Sequence, residues 1–317
     1  MKKSFFKQGV QHAIREGFGQ GLLEIGSDKQ VYALSADLTE SNKMDLFRKK
    51  YSSRFVELGV AEQNMIGVAA GLACLGKIPY TASFAVFSPG RSWDQIRVSA
   101  CYNNLPVKIY GGHAGLSVGE DGATHQALED IAITRVLPNM TVIVPCDAEE
   151  MRRAVHASKD IKGPVYLRGS RPKTTVITKA STPFKVGVAN ILQEGSDITI
   201  IACGLMVERA LQTADLLKKE GISCEVINCH TIKPLDKTTI TSSAKKTGFV
   251  VTIEEHQIIG GLGSAIAECL SEKQPTKLLR LGINDSFGES GTYEELFEKY
   301  ELTPKHFAQK IRRFVKK

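Results

Sequence analysis

The chain has 317 residues, 42% of them hydrophobic, and a formal net charge of +7 from 41 Lys/Arg against 34 Asp/Glu. This length exceeds what one core ordinarily serves, so two domains are expected, each with enough apolar content for a core of its own. The basic excess is not gathered into blocks interleaved with aromatics, and no apolar run approaches membrane-spanning length, which excludes nucleic acid and membrane as partners. The charge is read as solubility and as attraction for an anionic ligand.

The opening MKKSFFKQGVQHAIREGFGQGLLEIG carries basic residues, but its later charges and helical period predict a folded amphipathic helix and not a removable leader. QVYALSADL reads as a strand whose end delivers Asp37, and VAEQNMIGVAAGLACLG as a buried helix opened by Glu62. IPYTASF predicts a strand, SWDQIRVSACYN a helix, and LPVKIYGG a strand running into a Gly-rich loop. MTVIVPCDAEEMRRAVHAS gives a strand and then a helix, with Asp147 and Glu150 spaced as a capping pair. Such alternation predicts an α/β domain on a mainly parallel sheet.

Between residues 172 and 185 the apolar period is lost. The domain plan is therefore 1–175, a linker over 176–185, and a second, smaller α/β domain over 186–317. In that domain DITIIACGL, GISCEVINC and TGFVVTIEEH read as strands, and ERALQTADLLKKE and GLGSAIAECLSEK as helices. The seven cysteines form no CxxC pair and lie mostly in apolar elements, which favours structural thiols in a reducing cytoplasm over disulfides or zinc.

Several loop ends in the first domain carry chemistry. SADLTESN follows a strand, GVAEQN opens a helix, TASFAVF supplies Phe84 and Phe87, and GGHAGLSVGEDGATHQ sets His113, Asp121 and His125 among glycines. In an open α/β sheet, ligands collect outside the carboxyl ends of the strands, where these segments would meet. Taken singly, each has a plainer reading. Glu62 suits a helix first turn, GEDG suits a turn, the phenylalanines suit a core, and the histidines lack a short metal-binding spacing.

As an ordered set, GVAEQNMIG, SADLTESN, ASFAVF and HAGLSVGEDGATHQ resemble the pyrimidine-binding and C-terminal halves of transketolase. The closer resemblance is to the separately encoded C-terminal subunit of a split transketolase, and it covers nearly the whole chain. It implies the thiamine-diphosphate-enzyme pyrimidine-binding fold followed by the smaller transketolase C-terminal domain. The activity implied is transfer of a two-carbon ketol unit between sugar phosphates.

On this resemblance Glu62 hydrogen-bonds the aminopyrimidine of thiamine diphosphate and activates the cofactor. Phe84 and Phe87 form the aromatic wall, with Phe87 stacking directly, and Asp37 lies near the cofactor. Asp121 recognises a sugar hydroxyl, and His113 and His125 polarise substrate oxygens or relay protons. Arg15 and Arg171 clamp the terminal phosphate, with Ser41 assisting, because guanidinium supplies several directed donors. Without the resemblance Arg15 reads as an exposed helix charge and Arg171 as a linker-side salt bridge; Arg168 is the structural neighbour.

The chain also departs from the full-length pattern. Gly90 stands where a further aromatic often lines the cofactor site, and Asn64 differs from the histidine of deoxyxylulose-phosphate synthases. No GDG metal loop is present, so the diphosphate and Mg²⁺ or another divalent ion fall mainly to a partner chain, with no metal ligands expected here. The resemblance implies an α2β2 complex of an N-terminal subunit with two copies of this chain. The alternatives are a 2-oxoacid dehydrogenase E1 β subunit, a deoxyxylulose-phosphate synthase-like subunit, and a noncatalytic scaffold.

Overall fold

The computed structural model describes residues 4–316. The strands in chain order are β1 (Gln11–Ala13), β2 (Val31–Ser35), β3 (Phe55–Glu57), β4 (Ile78–Phe84), β5 (Lys108–Gly112), β6 (Thr141–Ile143), β7 (Val165–Arg168), β8 (Lys173–Thr175), β9 (Asn190–Gln193), β10 (Ile198–Ala202), β11 (Cys224–Asn228), β12 (Thr231–Lys233), β13 (Phe249–Gln257) and β14 (Lys277–Ile283). A seven-stranded sheet in the order β12-β6-β7-β5-β4-β2-β3 is parallel except for β12, and a five-stranded sheet runs β14-β13-β10-β11-β9. The mainly parallel α/β architecture is the expected one.

The near-continuous apolar runs of β4, β5 and β7 match their burial on both faces, as a sheet covered by helices on each side requires. Helices Ile14–Ile25 and Ala148–Lys159 cover one face. Helix Glu62–Cys74 packs on the other, in a buried cluster that continues from Leu34 and Ile66 through Tyr166 to Ile227 and Leu262. The two sheets therefore share a core. They also share a strand, since β12 comes from the second half of the chain and pairs antiparallel with β6 at the edge of the first sheet.

Three expectations change. The opening helix begins only at Ile14; residues 11–13 form β1 and pair with β8, inside the stretch where periodicity was lost. Residues 1–3 lie outside the described part. The SWDQIRVSACYN segment is helical, but only Trp93–Gln95 is α, and Ile96–Tyr102 widens into π turns. Asp147 caps its helix by accepting from Glu150 N at 2.8 Å, whereas Glu150 returns not to Asp147 but to Cys146 N at 2.7 Å. The second oxygens of the pair are engaged elsewhere: Asp147 accepts from Ile177 N and Thr178 N, and Glu150 from Asn228 Nδ2. The acidic pair thus fastens the chain leaving the first sheet and the second sheet to one helix end.

Candidate active site

The carboxyl ends of β2, β4, β5 and β7 lie side by side, with Phe84 level with Gly112 and Gly111 level with Arg168. That register brings three of the loops singled out in the sequence to one edge. Helix Glu62–Cys74 opens at the same edge, and burial of its first residue is unusual: Glu62 is 1% exposed. A carboxylate there requires partners. Ser83 Oγ donates to Oε1 at 3.1 Å, and Arg91 Nη1 donates to Oε2 at 2.8 Å.

Aromatic rings line the adjoining space. Phe84 and Phe87 lie 6.0 Å apart at 17°, His113 stacks on Phe84 at 4.0 Å, and His125 meets Phe87 edge-on at 5.3 Å. Arg91 lies over the Phe87 ring at 4.9 Å. His113 is held in a left-handed backbone conformation, φ 52°, which turns the ring back toward Phe84.

Arg15 Nη1 donates to Ser41 O and to His113 Nε2, each at 3.2 Å. Because guanidinium can only donate, His113 Nε2 accepts and the ring proton resides on Nδ1, a buried donor with no partner. Burial first, and then Arg15, Arg171 and His125, push the His113 pKa down to about 3. The ring is neutral at physiological pH. Arg171 Nη1 donates to Val118 O and to Glu120 Oε2 at 3.2 Å, and lies 3.9 Å from Asp121 Oδ2.

Of the residues singled out in the sequence, Phe84, Phe87, His113 and His125 form one ring cluster, and Arg15, Ser41 and His113 form one polar contact. Ser41 enters through its carbonyl. Arg171 and Asp121 face each other on the neighbouring loop. Asp37 is exposed, with φ 61°; its N–H donates to Glu57 Oε1 at 2.7 Å, so the backbone and not the carboxylate is what the structure engages. Arg168 is buried against Asp130, at 2.7 Å, and donates to Glu255 O, a structural position.

Arg91, Ser83 and Glu57 were not singled out. Phe87 and Arg91 are four apart, but Ser88 between them is extended, with φ −136° and ψ 108°, so their contact does not follow from helical spacing. The Arg91–Glu62 pair joins segments 29 residues apart and had no local signal.

The flat apolar faces beside a buried carboxylate acceptor suit a heteroaromatic ring with a donating edge. Among the described residues no group of three or more His, Cys, Asp or Glu side chains is arranged to hold a metal ion. Likewise, no described helix is long and apolar enough to cross a membrane.

Residues 11–176 match the family described as Transketolase, pyrimidine binding domain, and residues 187–307 the family described as Transketolase, C-terminal domain. A putative transketolase C-terminal section from Methanocaldococcus jannaschii is 46% identical over 313 residues, covering 98% of both chains. A 6-deoxy-6-sulfo-D-fructose transketolase subunit from a Clostridium strain is 43% identical over 310 residues, covering 98% of this chain and 96% of the other. Among solved structures, a split-gene transketolase described as an inactive β4 tetramer superposes with a TM-score of 0.90 at 45% identity, covering 96% of this chain and 98% of that one.

Proposed function

The chain belongs to the transketolase family, its pyrimidine-binding domain followed by its C-terminal domain, and we propose that it is the catalytic half of a two-chain enzyme moving a two-carbon ketol unit between sugar phosphates. The observation that carries this reading is Glu62, buried at a helix start beside the Phe84–Phe87 rings. Thiamine diphosphate, when bound, supplies an electron sink for carbon–carbon bond cleavage and formation.

Glu62 holds the proton at a pyrimidine ring nitrogen. Phe87 and Phe84 hold the ring by its faces. Asp37 stands at the same edge of the sheet as a further cofactor-side acid. His113, neutral and with its Nδ1 proton unclaimed, and His125 polarise substrate oxygens. Asp121 takes a sugar hydroxyl, while Arg15 and Arg171, with Ser41, take the terminal phosphate and so convert remote binding energy into orientation.

The N-terminal partner subunit supplies the diphosphate and divalent-metal site, in a complex holding two copies of each chain. The inactive assembly of β subunits in the similar solved structure supports that dependence.

The test is turnover by the purified chain, alone and with its partner, given Mg²⁺, thiamine diphosphate and a matrix of ketose and aldose phosphates. New sugar phosphate is expected only with the partner. Robust turnover by the partner-free chain would overturn the dependence, and decarboxylation of 2-oxoacids by an assembled complex inert toward sugars would replace the reaction assigned.

A further inference from the structure

The loop from His113 to His125 presents the residues assigned to the sugar, yet its middle is held by the second half of the chain. Leu116 is fully buried in the apolar cluster of the five-stranded sheet, together with Leu205, Ile253 and Phe297. Ser117 N donates to Glu255 Oε1, on β13, at 2.5 Å. Gly115 lies at φ +86°, and a Cβ there would fall 2.3 Å from Glu255 Cδ, so the backbone passes the carboxyl as closely as glycine permits.

The far end of the loop is tied in the same way. Gln126 Nε2 donates to Gly119 O at 3.2 Å and to Glu289 O at 2.9 Å, bridging the loop to the second domain. Glu255 itself is anchored through its carbonyl, which accepts from Arg168 Nη2 at 3.0 Å.

We infer that Glu255 is a positioning residue for the sugar-facing loop: its carboxyl fixes the Ser117 amide, and through it the placement of His113 and Asp121, four residues away on either side. This rests on the function proposed above. The alternative, that Glu255 serves stability alone, fits the site poorly. The carboxyl is fully buried, Oε2 has no hydrogen-bond partner, and burial pushes its pKa up to about 7 against the pull of Arg168 and the Ser117 amide. A group so placed is costly to a fold, since a well-packed apolar side chain usually serves stability as well or better. What an apolar residue cannot do is accept from Ser117. Displacements of an ångström at a substrate-binding residue suffice to change turnover about a hundredfold, so a device that fixes one amide has a role to fill.

The test uses Glu255→Ala, Glu255→Asp and Glu255→Gln in the full chain. Gln retains the acceptor in place, Asp retains the charge but draws the oxygen back by one methylene, and Ala removes both. In the partner-free chain, hydrogen–deuterium exchange of peptides spanning 113–125 is expected to rise in Ala and Asp and to stay at wild type in Gln, with the strands of both sheets unchanged. In the partner-containing complex, with xylulose 5-phosphate and ribose 5-phosphate as probes, KM is expected to rise about tenfold in Ala and Asp and to recover in Gln, with thiamine diphosphate affinity unaltered. Should Ala fail to fold, the Asp and Gln pair decides.

Wild-type exchange in the loop of a folded Ala or Asp variant overturns the inference whatever the activity. So does a defect in Gln equal to that in Asp. Changed exchange in a complex with no sugar-phosphate turnover leaves the brace standing and overturns the reaction, so the two readings fail separately.

Discussion

Replacing Arg91 with Ala tests whether Glu62 depends on the cation that closes over it. The bond is 2.8 Å long, with the Glu62 side chain 1% and the Arg91 side chain 48% exposed. One partner is thus desolvated while the other is half in water. A hydrogen bond to a charged group contributes about 1.5–3 kcal/mol, and the half-exposed cation puts this one near the lower figure. Arg91 also lies 4.9 Å over Phe87, a cation–π contact worth about 0.5–1 kcal/mol at an exposed site. Arg91→Ala is therefore expected to cost about 2 kcal/mol, of which only the Glu62 part vanishes once Glu62 is absent. Urea denaturation of the wild type, Arg91→Ala, Glu62→Ala and the double variant separates the two contributions. The expected coupling is about 1.5 kcal/mol. Additivity of the single variants to within about 0.3 kcal/mol would refute the pairing and leave Glu62 held by Ser83 alone.

Two further outcomes follow from the charged groups. Arg15→Ala and Arg171→Ala are each expected to contract the preference for a phosphorylated ketose donor over its neutral counterpart in the assembled complex; an unchanged preference in both would reject the clamp. Glu255 has its pKa raised from 4.5 to about 7. The unfolded chain thus releases this proton between 4.5 and 7 while the folded chain retains it, so the stability contributed here is full below pH 4.5 and lost as pH rises through 7. Glu255→Gln does not titrate, and its unfolding free energy relative to wild type is expected to move in its favour by about 3 kcal/mol between pH 4.5 and 8. A difference that does not vary with pH would place the Glu255 proton elsewhere.

What the sequence disclosed of this molecule divides by the range of the interactions. The strands Ile78–Phe84 and Ile198–Ala202 and the helix Glu62–Cys74 are legible because their apolar pattern is a local property that burial preserves. β12 is three residues long, ends before Pro234, and finds its partner strand almost ninety positions earlier, so no window of sequence contains the evidence for it. β9 and β14 escape notice for a related reason: each lies at the edge of its sheet, and both are only partly buried, which blurs the pattern. At the site, the ring cluster was legible because Phe84, Phe87, His113 and His125 lie on loops that the parallel sheet delivers to one edge. Glu255 was not, since TIEEH is locally a strand with two acids and a histidine, and only the folded chain separates their tasks. Glu254 caps the helix at Leu262 and Gly263, Glu255 reaches Ser117, and His256 Nε2 accepts from Ala132 N at 3.4 Å.

The three arginines at the site each hold an acceptor of the chain's own, and the burial of that acceptor decides which of them is free to exchange it. Arg171 holds Glu120, a carboxylate 67% exposed, and the uncharged Val118 carbonyl. Such a surface pair contributes at most about 1 kcal/mol, and water takes over the released carboxylate. Arg15 holds the Ser41 carbonyl and His113 Nε2, both uncharged acceptors, so an anion brings it a stronger bond than the ones it leaves. Arg91 holds Glu62, and taking it away strands a carboxylate that water cannot reach, so the loss of about 1.5 kcal/mol is not recovered from solvent. In the proposed reaction a phosphate therefore displaces the acceptors of Arg171 and Arg15 and leaves Arg91 in place. Arg91 yields only to a group that itself donates to Glu62, and the polar edge of a cofactor ring is such a group.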